Sequence, residues 1–286
     1  MYVGINIMNV AREPSPAVIA RALEDRGYES IWCGEHSHIP VSRSTPYPAG
    51  GDLPDLYLRQ GDPFVGLATA AAATTTLKVG TGVLLVLQRD PFTLAKATAT
   101  LDVLSGGRLL VGVGVGWNVE ELANHSPVPW GRRYGALTEM VGALKALWTM
   151  DEATFHGQYY DFDPVYSFPK PVQRPHPPIL CGTAGKTGTK GAIHWADGWM
   201  PIDGPGRDLG RKLERFRQTA EEGGRDPATI EITVTAWGDP TPRDLERYRD
   251  LGVHRVIIGA ARSNWEDPDT VLPFIDSYAS VVPSLR

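Results

Sequence analysis

The first stretch whose residue types could do chemistry is Trp32-Cys33-Gly34-Glu35-His36-Ser37-His38, where a carboxylate and an imidazole stand side by side. An imidazole titrates near neutral pH and a carboxylate beside it can orient it or balance its charge, so the pair is equipped to move a proton. The same residues would also serve as polar caps on a loop rim, and both roles are open at this level. A second stretch, Leu180-Cys181-Gly182-Thr183-Ala184-Gly185-Lys186-Thr187, gathers small residues where a strand would turn into a helix. Such a turn exposes backbone N–H groups and makes a natural phosphate cradle. Gly185-Lys186-Thr187 matches the end of a nucleotide-hydrolase P-loop, but that pattern needs a glycine where Leu180 stands. No apolar run ends in a magnesium-binding Asp either, so the P-loop is set aside and the cradle kept.

Two glycine-bearing runs complete the candidate chemistry. Lys78-Val79-Gly80-Thr81-Gly82-Val83 would let a backbone or a flat ligand come close, or would simply relieve crowding inside a barrel. Gly112-Val113-Gly114-Val115-Gly116-Trp117 carries the first two glycines of a dinucleotide fingerprint, but Trp117 occupies the place of the third. Space at Gly114 and Gly116 beside a large aromatic suits a planar ring system, and Trp117 would also suit core packing. His125, His156, His176, His194 and His254 show no metal-ligand spacing and receive no role.

The elements that position these residues follow from periodicity. Short apolar, β-branched runs recur at 3–7, 30–33, 78–82, 108–112, 178–181, 198–201, 231–235 and 255–258, giving eight expected strands. Between them lie helical patterns such as Leu137, Met140, Val141, Leu144, Leu147 and Trp148, and Leu209, Leu213, Phe216 and Ala220. Ser15-Pro16, Asp62-Pro63, Asp90-Pro91, Thr241-Pro242 and Asp267-Pro268 each place a capping oxygen before a proline, the signature of a helix start. Gly27 and Gly252 suit left-handed C-caps. Alternation of strand and helix implies parallel pairing, and eight units favour a closed (β/α)8 TIM barrel over an open doubly wound sheet. Segments 36–61, 117–135 and 151–177 lack helical period and are expected as extended loops at the C-terminal face, where such barrels carry their sites.

The 286 residues suit a single barrel domain spanning 1–286, since eight βα units need about 250 residues. A net charge of −5 argues against a nucleic-acid or anionic-membrane partner, and no apolar run reaches the roughly 20 residues of a membrane helix. The two cysteines, Cys33 and Cys181, offer no disulfide framework or metal spacing, and no signal peptide is apparent, so a soluble, cytoplasmic protein is expected.

Taken together, the chain resembles the luciferase-like oxidoreductases, and within them the branch dependent on the deazaflavin coenzyme F420. The resemblance covers nearly the whole sequence. It is carried by Asp102-Val103-Leu104-Ser105-Gly106-Gly107-Arg108 running into the glycine run that ends at Trp117, by 148–162, by Pro169-Lys170-Pro171-Val172-Gln173-Arg174-Pro175, and by Ala196-Asp197-Gly198-Trp199. It implies a cofactor ring across the barrel mouth, contacting Gly82, Val83, Gly114 and Trp117, with its phosphate on Gly182, Thr183, Ala184 and Gly185. It also implies a cis peptide at Gly82-Val83. Glu35 and His36 match an acidic residue and a histidine that meet the reactive edge of the ring, so His36 would be the acid/base and Glu35 would orient it. One departure stands out. Related F420-dependent dehydrogenases place a catalytic Glu directly after the glycine run, where this chain has Trp117, with Glu120 and Glu121 the nearest carboxylates. A site floored by Trp117 would suit an apolar or unsaturated small-molecule substrate. The implied activity is F420-dependent hydride transfer. An FMN-dependent monooxygenase and a non-catalytic flavin- or deazaflavin-binding protein are the alternatives, and a homodimer is common among such proteins.

Overall fold

The computed structural model describes residues 1–183, 185–204, 206–262, 264 and 267–286. Eight parallel strands lie where the apolar runs predict them: β1 (Tyr2–Ile7), β2 (Ser30–Cys33), β3 (Lys78–Thr81), β4 (Leu109–Gly114), β5 (Ile179–Cys181), β6 (Gly198–Trp199), β7 (Glu231–Ala236) and β8 (Arg255–Ile258). Each pairs with the next, and β8 returns to β1 through Tyr2↔Arg255, so the sheet closes into a (β/α)8 barrel. The open-sheet alternative is thereby excluded. Two short strands lengthen the mouth: Leu84–Leu85 pairs with β4, and Ile202–Asp203 with β7.

The outer layer consists of α1 (Pro16–Asp25), α2 (Pro63–Ala72), α3 (Pro91–Leu104), α4 (Val119–His125), α5 (Arg133–Thr149), α6 (Lys186–Ala192), α7 (Leu209–Glu222), α8 (Pro242–Asp250) and α9 (Val271–Ala279). Asp62 and Asp90 cap α2 and α3 through side-chain oxygens, and Thr241 forms a reciprocal capping box with Asp244. Ser15 precedes α1 but makes no side-chain cap bond, and Asp267-Pro268 opens a 3₁₀ turn, Pro268–Thr270, ahead of α9. Gly27 and Gly252 take positive φ, as expected of left-handed C-caps. Two expected loops hold structure of their own. Segment 117–135 contains α4, too short to show a period, and 151–177 contains an antiparallel hairpin of Glu152–His156 with Asp161–Tyr166.

Strand side chains alternate between two cores. Ile31, Val79, Val111, Val113, Ile179, Val234, Val256 and Ile258 face the helices, while Trp32, Leu110, Leu180, Met200 and Ile257 fill the lumen. Trp32 is fully buried there, and its ring explains two glycines: a Cβ on Gly80 would lie 2.4 Å from Cε3, and one on Gly4 2.6 Å from Nε1. Of the two readings open for Gly80, relief of crowding is the one the packing requires. The N-terminal end of the barrel is plugged by Arg255, which is 1% exposed. It donates to both oxygens of Glu29 at 2.7 Å, to Thr233 at 3.0 Å and to Glu231. With the floor sealed in this way, the mouth is the open end.

Candidate active site

A cavity of about 400 Å3 occupies the C-terminal mouth. The end of every barrel strand contributes to it, from Asn6 on β1 through Gly34, Gly82, Gly114, Gly182 and Met200 to Thr235 and Ala260. Segment 36–61 closes one side with Tyr47 and Tyr57. This is where parallel barrels place their chemistry, because the loops there vary without disturbing the strands.

His36, just beyond β2, is held at both ring nitrogens. Its Nδ1 lies 2.7 Å from Glu121 Oε2, and its Nε2 accepts the Trp117 indole N–H at 3.2 Å. A donor at Nε2 leaves that nitrogen unprotonated, so the neutral ring carries its proton on Nδ1 and donates it to Glu121. The pair is secluded, with the imidazole 8% and the carboxylate 1% exposed. Tyr57 and Trp117 stand edge-on to the ring with centroids at 5.4 and 5.6 Å, and Tyr47 meets Tyr57 through a 3.3 Å hydroxyl contact. Burial raises the pKa of both tyrosines above the ordinary phenol value, so they line the site as neutral groups.

The sequence offers Glu121 only as one of the two carboxylates nearest Trp117. Its place is set by α4, whose N-cap Asn118 accepts the Glu121 N–H, turning the side chain beneath His36. The Asn118-to-Glu121 spacing is that of a capping pair and was the available signal. Its second oxygen, Oε1, is buried with no hydrogen-bond partner among the described residues. Glu120 points the other way and fastens segment 36–61, accepting from Ser44 N and Oγ at 2.7 and 2.8 Å and from Thr45 N and Oγ1 at 3.2 and 2.6 Å. The Thr45 hydroxyl, then Ser44, hold its carboxyl down to about 2.

Glu35 does not orient His36, contrary to expectation. Its oxygens accept the Leu85 N–H and Arg89 Nε, each at 2.7 Å, and Arg89 also reaches Asp62 at 2.9 Å. The reason is geometric: adjacent residues leaving a strand point to opposite sides, so His36 turns to the mouth while Glu35 reaches across to the loop after β3. Glu35 still borders the cavity, but as a clamp on the segment that follows Val83.

The peptide between Gly82 and Val83 is cis, and Val83 projects between the ends of β4 and β5. A Cβ on Gly114 would meet Val83 Cγ2 at 2.7 Å, and one on Gly182 would meet Cγ1 at 2.5 Å. The space at Gly114 is therefore filled by Val83 rather than open to a ring. Gly116 adopts φ +74°, a backbone reason for glycine. In the cradle, Thr183 is buried with its hydroxyl 3.1 Å from Cys181 Sγ, and its carbonyl accepts the Trp199 indole N–H at 3.3 Å. Trp199 itself stacks on Phe216 at 4.3 Å. What the loop offers a ligand is thus backbone at Gly182, Thr183 and Gly185. Gly185 has φ +90°, and nothing lies within 4 Å of where its Cβ would be. Ala184 lies outside the described residues.

Of the motifs that carry the resemblance, those around Asp102, Arg108 and Asp197 tie the scaffold together away from the mouth. Asp102 accepts the N–H groups of Val172 and Gln173, and Arg108 ties Ala71, Thr74 and Leu77 together. Asp197 accepts the Ile179 N–H and so joins β5 to the turn before β6.

Comparison with known proteins agrees with this architecture. The profile of the luciferase-like monooxygenase family matches residues 16–267. Rv0953c, an uncharacterized protein of Mycobacterium tuberculosis, is 40% identical over 278 residues, spanning 93% of this chain and 94% of its own. An F420-dependent glucose-6-phosphate dehydrogenase of Kineococcus radiotolerans is 31% identical over 74% of this chain and 59% of that one. An FMNH2-dependent dimethylsulfone monooxygenase of Pseudomonas putida is 32% identical over 71% of this chain and 53% of that one. Among solved structures, the monooxygenase RslO1 of Streptomyces bottropensis shares the fold with a TM-score of 0.78 over 99% of both chains, at 20% identity.

Proposed function

The chain belongs to the luciferase-like monooxygenase family, whose relatives include an F420-dependent dehydrogenase and an FMNH2-dependent monooxygenase, and from that premise we propose that it is an F420-dependent oxidoreductase acting on a small apolar substrate. The observation that carries the proposal is His36, a cavity-lining histidine pinned by a buried carboxylate at one nitrogen and by the Trp117 indole at the other. That arrangement manages a proton, which hydride transfer to or from a carbonyl or alcohol carbon requires.

The residues present fit such a cofactor. Val83 and Gly82 would support the ring from below, and Trp117 would bound it at the side. The backbone of Gly182, Thr183 and Gly185 would receive the phosphate. Gln60 adds a buried side-chain oxygen that lacks a partner among the described residues, an acceptor for a ring N–H. When bound, the deazaflavin would supply or accept the hydride. His36 Nε2 would take the hydroxyl proton of an alcohol substrate as its carbon is oxidised, the Trp117 indole yielding that lone pair to the substrate. Glu121 would balance the imidazolium so formed, and Glu35 would hold the segment after Val83 through Leu85 and Arg89. Tyr47, Tyr57 and Trp117 would exclude water from the reacting carbon.

A second reading, an FMN-dependent monooxygenase, draws on the relative from Pseudomonas putida. Titrating the purified protein with oxidised F420 and oxidised FMN, followed by fluorescence, separates the two. Tighter binding of F420 is expected. Preference for FMN, with oxygen consumption on adding reduced FMN and substrate, would overturn the deazaflavin reading.

A further inference from the structure

Two histidines that do not line the cavity, His38 and His125, converge on one atom. Ser37 Oγ lies 2.9 Å from His38 Nδ1, 2.6 Å from His125 Nε2 and 3.3 Å from Gln88 Oε1, the last in the 3₁₀ turn Val86–Gln88. A hydroxyl has one proton to give, and each of these three atoms can direct a lone pair at it. Lone pairs from three separate segments meeting at one point are what a cation requires. The ring geometry agrees. The imidazole centroids are 5.2 Å apart with planes at 52°. Two imidazoles on one tetrahedral zinc, with Zn–N of about 2.0–2.1 Å, would have centroids about 5 Å apart. Asn124 Nδ2 stands 2.8 Å from His38 Nε2. Turning that amide end for end presents its oxygen to an Nε2–H, the tautomer that leaves Nδ1 free for a metal. Ser37 and His125 are exposed and His38 is half-buried, so the approach from solvent is open. His125 is also the last residue of α4, where the helix dipole favours a cation. No three His, Cys, Asp or Glu side chains gather in this way among the described residues, so the set is two nitrogens completed by oxygens.

We propose that His38 and His125 form a binding site for a divalent transition-metal ion, Zn2+ by ligand type, which displaces the Ser37 hydroxyl and takes Gln88 Oε1 as a third ligand. Imidazole nitrogens select Zn2+, Ni2+ or Cu2+ over Mg2+, which prefers an all-oxygen shell. The ion ties segment 36–61 to α4. It does so two residues from His36 and one helical turn beyond Glu121, so it braces the elements that hold the His36–Glu121 pair without touching either member. The site needs neither F420 nor FMN and stands apart from the choice between them.

The test is a calorimetric titration of the tag-free, chelator-treated protein with Zn2+ in excess Mg2+. One Zn2+ per chain is expected. His38→Ala and His125→Ala should each weaken binding at least tenfold, and Asn124→Ala, which loses the support of the ring rather than a ligand, about 10- to 100-fold. Ser37→Ala should bind as tightly as the wild type or more tightly, since the hydroxyl gives way to the ion. His156→Ala is the control, because His156 sits 2.6 Å from Asp161 on the exposed hairpin and should contribute nothing to this site. Metal-free thermal melting matching the wild type would show that the variants fold. In the wild type, electron paramagnetic resonance of the Cu2+ form should show coupling to two imidazole nitrogens. Failure to bind Zn2+, Ni2+ or Cu2+ would overturn the site. So would binding that survives both histidine substitutions or is lost in Ser37→Ala.

Discussion

Replacing Glu121 with Gln tests the proton-handling unit at its hinge. The substitution keeps a carbonyl oxygen within reach of His36 Nδ1 but removes the charge that sits 2.7 Å from it. A hydrogen bond with an ionised partner contributes about 1.5–3 kcal/mol and a neutral one about 0.5–1.5 kcal/mol, so the charged form of His36 loses about 1–2 kcal/mol of support. If that support acts in the transition state, the hydride-transfer rate at saturating cofactor falls about 5- to 30-fold. Rapid-mixing measurement of the deazaflavin absorbance would give the rate, and a parallel titration would show an unchanged cofactor Kd. A second readout needs no substrate. Long-range 15N NMR of the His36 ring should show Nδ1 protonated and Nε2 free in the neutral wild-type protein. Together the Glu121 and Trp117 bonds favour that tautomer by at least about 2 kcal/mol, or some 30-fold. Finding the proton on Nε2 would set two donors against each other at Trp117 and refute the geometry. A variant with wild-type hydride transfer and an unchanged pH profile would refute the role.

Gly182→Ala places a Cβ 2.5 Å from Val83 Cγ1, and relieving that overlap must move Val83. A loss of about 1–3 kcal/mol in thermal or urea unfolding is expected, with weaker cofactor binding, and unchanged binding would show that Val83 does not set the ring position. Arg255→Met leaves Glu29 and Glu231 without their shared cation at the barrel floor and should cost about 3–5 kcal/mol of stability. Burial acts to raise the Glu29 pKa, but Arg255 outweighs it and holds the group at about 2. Its contribution is therefore present above the ordinary Glu value, 4.5, and is lost as pH falls toward 2. The variant should lose most of that acid sensitivity, Lys78 at 3.0 Å from Glu29 keeping the remainder, and a wild-type acid limb in it would show that the shift has another origin. Glu120→Gln should speed hydrogen exchange at the Ser44 and Thr45 amides. In the wild type the same release should begin only below pH 4.5 and finish near 2, the depressed value of the carboxylate.

The candidate strands at 30–33 and 255–258 coincide with β2 and β8, and the other six differ from theirs only at the ends, because buried parallel strands are short, continuous apolar runs. The Asp62, Asp90 and Thr241 caps were equally legible, since a cap is a contact between residues two or three apart. Sequence also located the mouth, through the glycines and the His36 run that end strands. It did not reveal who binds whom there. His36 meets Glu121 across 85 residues and Glu35 meets Arg89 across 54, separations over which periodicity carries no information. Those partners are chosen by barrel closure, which brings the ends of β2, β3 and β4 side by side and leaves each polar group to bond whatever the neighbouring loop presents. The same holds for Gly114, where sequence leaves open space and the fold supplies Val83. Local pattern determined the scaffold and the place of the site, and packing of distant loops decided its chemistry.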